Sequence, residues 1–114
     1  MGDNVLREVS GWIRNRTPDA SLAEKQISHF CTLYELLKEG IVHFWFRKTD
    51  GSLRSAYGTL DMSIIKRHGG VPQGDERNDR AFSGTVSYYD LEKDAWRCFK
   101  ADSVQEIDFG YGQL

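Results

Sequence analysis

The sequence predicts a mainly β domain of the α+β class, with two helices leading into a small, strongly bent barrel of five short strands. Three observations predict it. In Ile41–Leu60, IVHFWFRKTDGSLRSAYGTL, the residues Val42, Phe44 and Phe46 alternate with His43, Trp45 and Arg47, the period of a strand with one buried face. Upstream, Ile27, Phe30, Cys31, Tyr34 and Leu37 recur at helical spacing, and Leu33 and Leu36 widen the stripe. Downstream, three short strand-like runs are separated by turn residues, as in a small barrel.

Taken in order, Val5, Val9, Trp12 and Ile13 predict a short amphipathic helix ending near Arg16, cut off by the Thr17-Pro18 step. A second helix begins between Pro18 and Ser21, where Ser21 and Glu24 have capping-box spacing. Gly40 is placed to end it in the left-handed conformation. Its opposite face carries Glu24, Lys25, Glu35 and Lys38 in mixed sign, so packing against the barrel or a second helix explains the stripe.

Asp50-Gly51 marks the first hairpin. A two-residue loop sets Phe44 opposite Tyr57. A three-residue loop, with Gly51 left-handed as a bulge, sets Phe44 opposite Ala56, Val42 opposite Gly58 and Phe46 near Arg54. Large residues then meet small ones on one face, which favours the second register. The other face carries His43, Trp45, Arg47, Leu53, Ser55 and Tyr57. Met62, Ile64 and Ile65 predict one helical turn, and residues 68–80 a long mobile surface loop whose glycines lack any nucleotide-binding spacing. Gly84–Tyr89, Ala95–Lys100 and Val104–Phe109 complete the strands. The expected organisation is a helical segment over 1–40 packed on the barrel, the barrel over 41–109, and a frayed tail over 110–114.

The chain has 114 residues and a formal charge of −2, which argues against a protein that coats nucleic acid non-specifically. The balance is uneven: net −1 over 1–40, +2 over 41–100 and −3 over the last fourteen residues. Met1–Val9 lacks the apolar core of a signal peptide, and no run reaches membrane-spanning length, so a cytoplasmic location is expected. Cys31 and Cys98 read as reduced, partly buried thiols rather than a disulfide. His29, His43 and His68 fall on three separate elements without metal-ligand spacing, so neither metal nor cofactor is expected. The two helices lack the basic recognition face of a helix-turn-helix. No nucleophile–base arrangement stands out, so the sequence predicts a chain that is not an enzyme.

A family resemblance adds to this reading. The segment Tyr88-Tyr89-Asp90-Leu91-Glu92-Lys93-Asp94-Ala95-Trp96-Arg97-Cys98-Phe99-Lys100-Ala101-Asp102-Ser103-Val104 resembles the closing hairpin of WYL domains, Sm-like barrels of the SH3 type found in bacterial regulators. With Arg47–Arg54 and Gly58-Thr59-Leu60 it is most similar to a WYL-like family of small proteins from gut Bacteroidetes and phages. The resemblance spans residues 41–108. It departs at Gly84-Thr85-Val86, where the larger family has Trp-Tyr-Leu, and at Ser103, where a basic residue is usual. It implies an SH3-like or Sm-like barrel in a bacterial regulatory protein, and ligand sensing by Arg54, Arg97 and Lys100.

Two functional readings follow. The first is a non-enzymatic, regulatory binding module for an anionic ligand, such as single-stranded nucleic acid or a nucleotide. Trp45, Tyr57 and Tyr89 are expected to stack on the outer face, with Arg47, Arg54, Arg97 and Lys100 meeting phosphates. The alternative is a protein-interaction or self-assembly module, pairing through a barrel edge or the N-terminal helix without a small ligand. Whether Trp45 and Tyr57 face solvent or lie beneath the helix of residues 21–39 separates the readings.

Overall fold

The structure, a computed structural model, describes residues 2–71 and 82–108. Helices α1 (Gly2–Arg16) and α2 (Ala20–Glu39) precede strands β1 (Val42–Arg47) and β2 (Leu53–Thr59). A short helix α3 (Met62–Arg67) follows, then β3 (Thr85–Asp90), β4 (Ala95–Lys100) and β5 (Val104–Asp108). Most of the expected 68–80 loop, the expected Phe109 and the tail lie outside the described residues. Among the described residues no helix is long and apolar enough to cross a membrane.

The first hairpin takes the bulged register. Val42 pairs with Gly58, Phe44 with Ala56 and Phe46 with Arg54. Lys48 and Ser52 close the loop through a 2.8 Å backbone hydrogen bond, and Gly51 sits at φ +89°. The Asp50 carboxylate accepts from the Ser52 N–H and hydroxyl at 2.9 and 2.7 Å, which holds its pKa below the usual value.

The five strands form one antiparallel sheet in the order β4-β3-β2-β1-β5. The expected barrel stays open, with β4 and β5 as its two edges. The physical reason is a bend at the end of β2. Only Gly58–Asp90 and Thr59–Tyr89 pair there, so the β3–β4 hairpin swings across the inner face instead of extending the sheet. Gly58 permits the bend: a Cβ at this position would sit 2.5 Å from the Tyr88 ring and 3.3 Å from Phe44. Corner hydrogen bonds, Arg47 N–H to Ser103 O at 3.0 Å and Ala101 N–H to Gly84 O at 2.9 Å, tie the ends together.

Helix α2 covers the inner face across β1, β2 and β5. Ala23, Ile27, Phe30, Leu33 and Leu37 are its buried residues, so the stripe centres on Leu33 while Cys31, Tyr34 and Leu36 are half-buried. They pack with Val42, Phe44, Phe46, Tyr88 and Phe99 in one core. Both helix ends differ from the expected caps. Asp19, not Ser21, is the N-cap, its carboxylate accepting from the N–H groups of Ser21 and Leu22 at 2.9 and 3.2 Å. Asp19 wins because it precedes the first helical residue in extended conformation, whereas Ser21 already lies within the helix. Gly40 is extended at φ 170° rather than left-handed. The end of α2 is instead closed by the last residue of β2 and the one after it: the Thr59 hydroxyl donates to the carbonyl of the capping Gly40 at 2.7 Å and the Leu60 N–H to Leu37 O at 2.8 Å.

Helix α1 packs on α2, with Val9 and Ile13 fully buried. Trp12 lies against the bare backbone of Gly84, and the Arg16 guanidinium stacks 4.4 Å above the indole while reaching Asp102 at 3.4 Å. Cys31 and Cys98 are both free thiols, but Cys98 is exposed, because it alternates away from buried Phe99 on β4. Burial, with the nearby Glu35 carboxylate, raises the pKa of Cys31.

Two substitutions test this account by thermal or urea denaturation. Gly58→Ala forces Tyr88 or Phe44 to shift and lowers stability by about 1–3 kcal/mol. Asp19→Ala removes the helix cap and lowers stability by about 1 kcal/mol, whereas Ser21→Ala has a much smaller effect.

Candidate functional site

The swing of the β3–β4 hairpin leaves an opening between the β1–β2 turn and β4. It is a cleft of about 230 Å³ lined by Phe46, Arg47, Lys48, Thr49, Arg54, Thr85, Arg97, Cys98, Phe99 and Lys100. Five of these residues are cations and none is acidic. Phe46 and Phe99, both buried, form the apolar floor with ring centroids 5.9 Å apart. Strand alternation explains two of the cations. Arg54 shares its face with Ala56 and Gly58, and Arg97 shares its face with Phe99, so both guanidiniums project where the buried inner face opens to solvent.

Two of the cations are anchored. Arg47 donates to the Gly51 carbonyl across its own turn at 2.7 Å. Arg54 faces Asp90 with a guanidinium nitrogen 3.8 Å from Oδ2, and Asp90 is only 1% exposed. The other Asp90 oxygen accepts from the Glu92 and Lys93 N–H groups at 2.9 and 3.1 Å and so builds the β3–β4 turn. Among the described residues Oδ2 itself has no hydrogen-bond partner, and neither does the nearby buried Tyr88 hydroxyl. Burial and then the Asp90 charge push the Tyr88 pKa up to about 12.

The cleft brings together Arg47, Arg54, Arg97 and Lys100 of the sequence-predicted residues. It does not include the three aromatics expected to stack beside them. Trp45 and Tyr57 lie on the outer face, away from α2, with His43 between them, tilted against Trp45 at a centroid distance of 4.2 Å and stacked on Tyr57 at 4.1 Å. Of the two arrangements left open for these rings, burial beneath α2 is thereby excluded. Tyr89 is a correction: it is buried, because the chain after β2 folds over it. Gly70 sits so close that a Cβ there would be 2.7 Å from both Tyr89 and Ile65, and Trp96 meets the Tyr89 ring edge-on at 5.7 Å. The Trp96 indole N–H, donating to Val71 O at 2.9 Å, pins that segment down. Sequence reasoning passed over Lys48, Phe46 and Phe99 as site residues. The strand parity that aligns Arg97 with Phe99 was the available signal.

The fold and cleft define a small SH3-type sheet domain with a helical cover. A family model described as WYL_2, Sm-like SH3 beta-barrel fold, matches residues 30–104, about two thirds of the chain, and the chain belongs to that family. The match begins inside α2, so the second half of that helix belongs to the family unit, which the resemblance over 41–108 left out. No curated protein and no solved structure matches the chain significantly.

The Tyr88 environment carries a pH prediction. The folded-state pKa lies above the usual tyrosine value of 10.0, so the unfolded chain loses this proton first. The stabilising contribution is complete below pH 10 and is lost as pH rises toward 12. Tyr88→Phe removes a buried hydroxyl that has no partner among the described residues, leaves neutral-pH stability unchanged or raised by about 1 kcal/mol, and flattens the alkaline decline in denaturation midpoint.

Proposed function

We propose that the chain is a non-enzymatic binding module of regulatory type whose basic cleft takes an anionic ligand, a single-stranded nucleic acid or a nucleotide. The observation that carries this reading is the convergence of Arg47, Lys48, Arg54, Arg97 and Lys100 around the Phe46–Phe99 floor, with no acidic residue among the described lining residues. Guanidinium forks match phosphate geometry, and the apolar floor favours a ligand that carries a hydrophobic portion beside its charge. The overall charge of −2 keeps the attraction local, so contact is confined to a few phosphates.

Titration of a fluorescein-labelled oligothymidylate, with ATP as competitor, tests the reading at low and raised salt. The expected result is binding whose logarithm falls linearly with the logarithm of salt concentration, with a slope of roughly two to four ions. Arg54→Ala and Arg97→Ala each weaken it by about tenfold, while Tyr57→Ala, on the other face, leaves it unchanged. Absence of binding at low salt by both ligands discards the reading. A second reading, self-assembly through strand edges, draws support from the open sheet, whose β4 and β5 edges have no strand partner among the described residues. Light scattering across a concentration series separates the two.

A further inference from the structure

The outer face of β1, β2 and β5 has a different chemistry from the cleft. Tyr57, His43 and Trp45 form a continuous run of rings there, with His43 and Tyr57 only 9° from parallel. Apolar exposure concentrates around it: Tyr57 is 41% exposed and Leu53 on the same face of β2 is 54% exposed. Ile41, two residues before His43, is 55% exposed. Strand β5 adds carboxylates beside the rings, because Glu106 lies opposite Trp45 and Asp108 opposite His43. The Asp108 carboxylate stands 3.7 Å from the His43 ring. Arg47 alternates onto the same side of β1 as Trp45, but its guanidinium is turned back onto the Gly51 carbonyl at the turn that rims the cleft.

We propose that this face is a second binding surface, for an arginine-containing extended peptide segment of a partner protein. Charge complementarity selects the occupant. Two carboxylates beside the half-buried His43 and Trp45 rings, with the exposed Tyr57 ring next to them, repel phosphate and attract a guanidinium, whose plane stacks on an aromatic while its N–H groups reach the carboxylates. A lysine offers only a compact ammonium and uses such a surface less well. The protein then carries two oppositely charged sites on different faces, and the second stands or falls independently of the first.

The test is a fluorescence-anisotropy titration of the full chain with the labelled octapeptide (Arg-Ser)4, alongside (Lys-Ser)4 and (Glu-Ser)4. Amide chemical shifts in the 15N-labelled protein locate the contact. The expected order is arginine over lysine, with no binding of the glutamate peptide, and shifts confined to β1, β2 and β5. Tyr57→Ala weakens the arginine peptide by about fivefold, as loss of one cation–π contact does. The double variant Glu106→Gln, Asp108→Asn weakens it by about as much or more. All three changes are at exposed side chains, and unchanged oligothymidylate binding or, failing that, an unchanged melting temperature certifies the fold. Arg97→Ala leaves peptide binding intact. The proposal is overturned if the arginine peptide fails to bind at low salt, if neither variant weakens it, or if the shifts fall elsewhere. It is also overturned if light scattering shows a dimer that Tyr57→Ala dissolves, since the face then belongs to a second copy.

Discussion

The bend at Gly58 and Thr59 is the constraint from which the rest of the structure follows. The ladder between β2 and β3 has two residue pairs, and it holds because Tyr88 rests on a glycine backbone instead of a side chain. A longer ladder would carry the β3–β4 hairpin outward as a flat extension of the sheet. With the ladder cut to two pairs, the hairpin folds over the inner face and buries Tyr88 and Phe99 against Phe44 and Phe46, with ring centroids 5.3–5.9 Å apart. Thr59 adds the other half of the constraint, since its hydroxyl and the next N–H close the end of α2. Helix, hairpin and bend are therefore fixed at one point, and the cleft is the space left over when the two hairpins cross.

Much of this was legible in the chain, for identifiable reasons. The hairpin register was readable because Gly58 and Ala56 are the only small residues that can face Val42 and Phe44, so one slip would bring Phe44 against Tyr57. Helix positions were readable from periodicity, but the caps were not. Asp19 competes with Ser21 on geometry that spacing alone does not resolve, and the Gly40 end is closed by residues almost twenty positions downstream. Tertiary partners of that kind leave no local trace. Tyr89 was misjudged for the same reason, because its cover comes from Ile65, Gly70 and Trp96, on separate elements. The candidate cations were found individually, whereas their separation from Trp45 and Tyr57 depends on parity. Arg54 is one residue out of phase with Tyr57 and Leu53, and that single step places it on the opposite side of the sheet.

The division of charge between the two sides has a structural origin too. Both sides of a half-open sheet need solvent-compatible rims, and here the rims take opposite signs. Cations cluster at the β1–β2 turn and on β4, while the carboxylates of Glu106 and Asp108 sit on β5, at the far edge of the same sheet. A sheet arranged this way has a dipolar charge distribution although its net charge is small. The screening length at physiological salt is about 8 Å, so the field of each rim is felt mainly at its own surface.

Asp90 shows how the core supports the cleft. A carboxylate buried to 1% exposure carries a desolvation cost that an apolar residue avoids, and an uncompensated charge at such depth is costly by several kcal/mol. One oxygen recovers part of this by accepting two backbone N–H groups that the β3–β4 turn would otherwise leave without partners. The other oxygen faces Arg54 at 3.8 Å, near enough for charge attraction and too far for a direct hydrogen bond. The pair therefore holds the guanidinium over the cleft without consuming its donors. A closer, bidentate Asp90–Arg54 contact would stabilise the fold more and leave Arg54 with little to offer an incoming anion. The longer separation is what the proposed role requires of Arg54, whose donors would have to remain available to an anion.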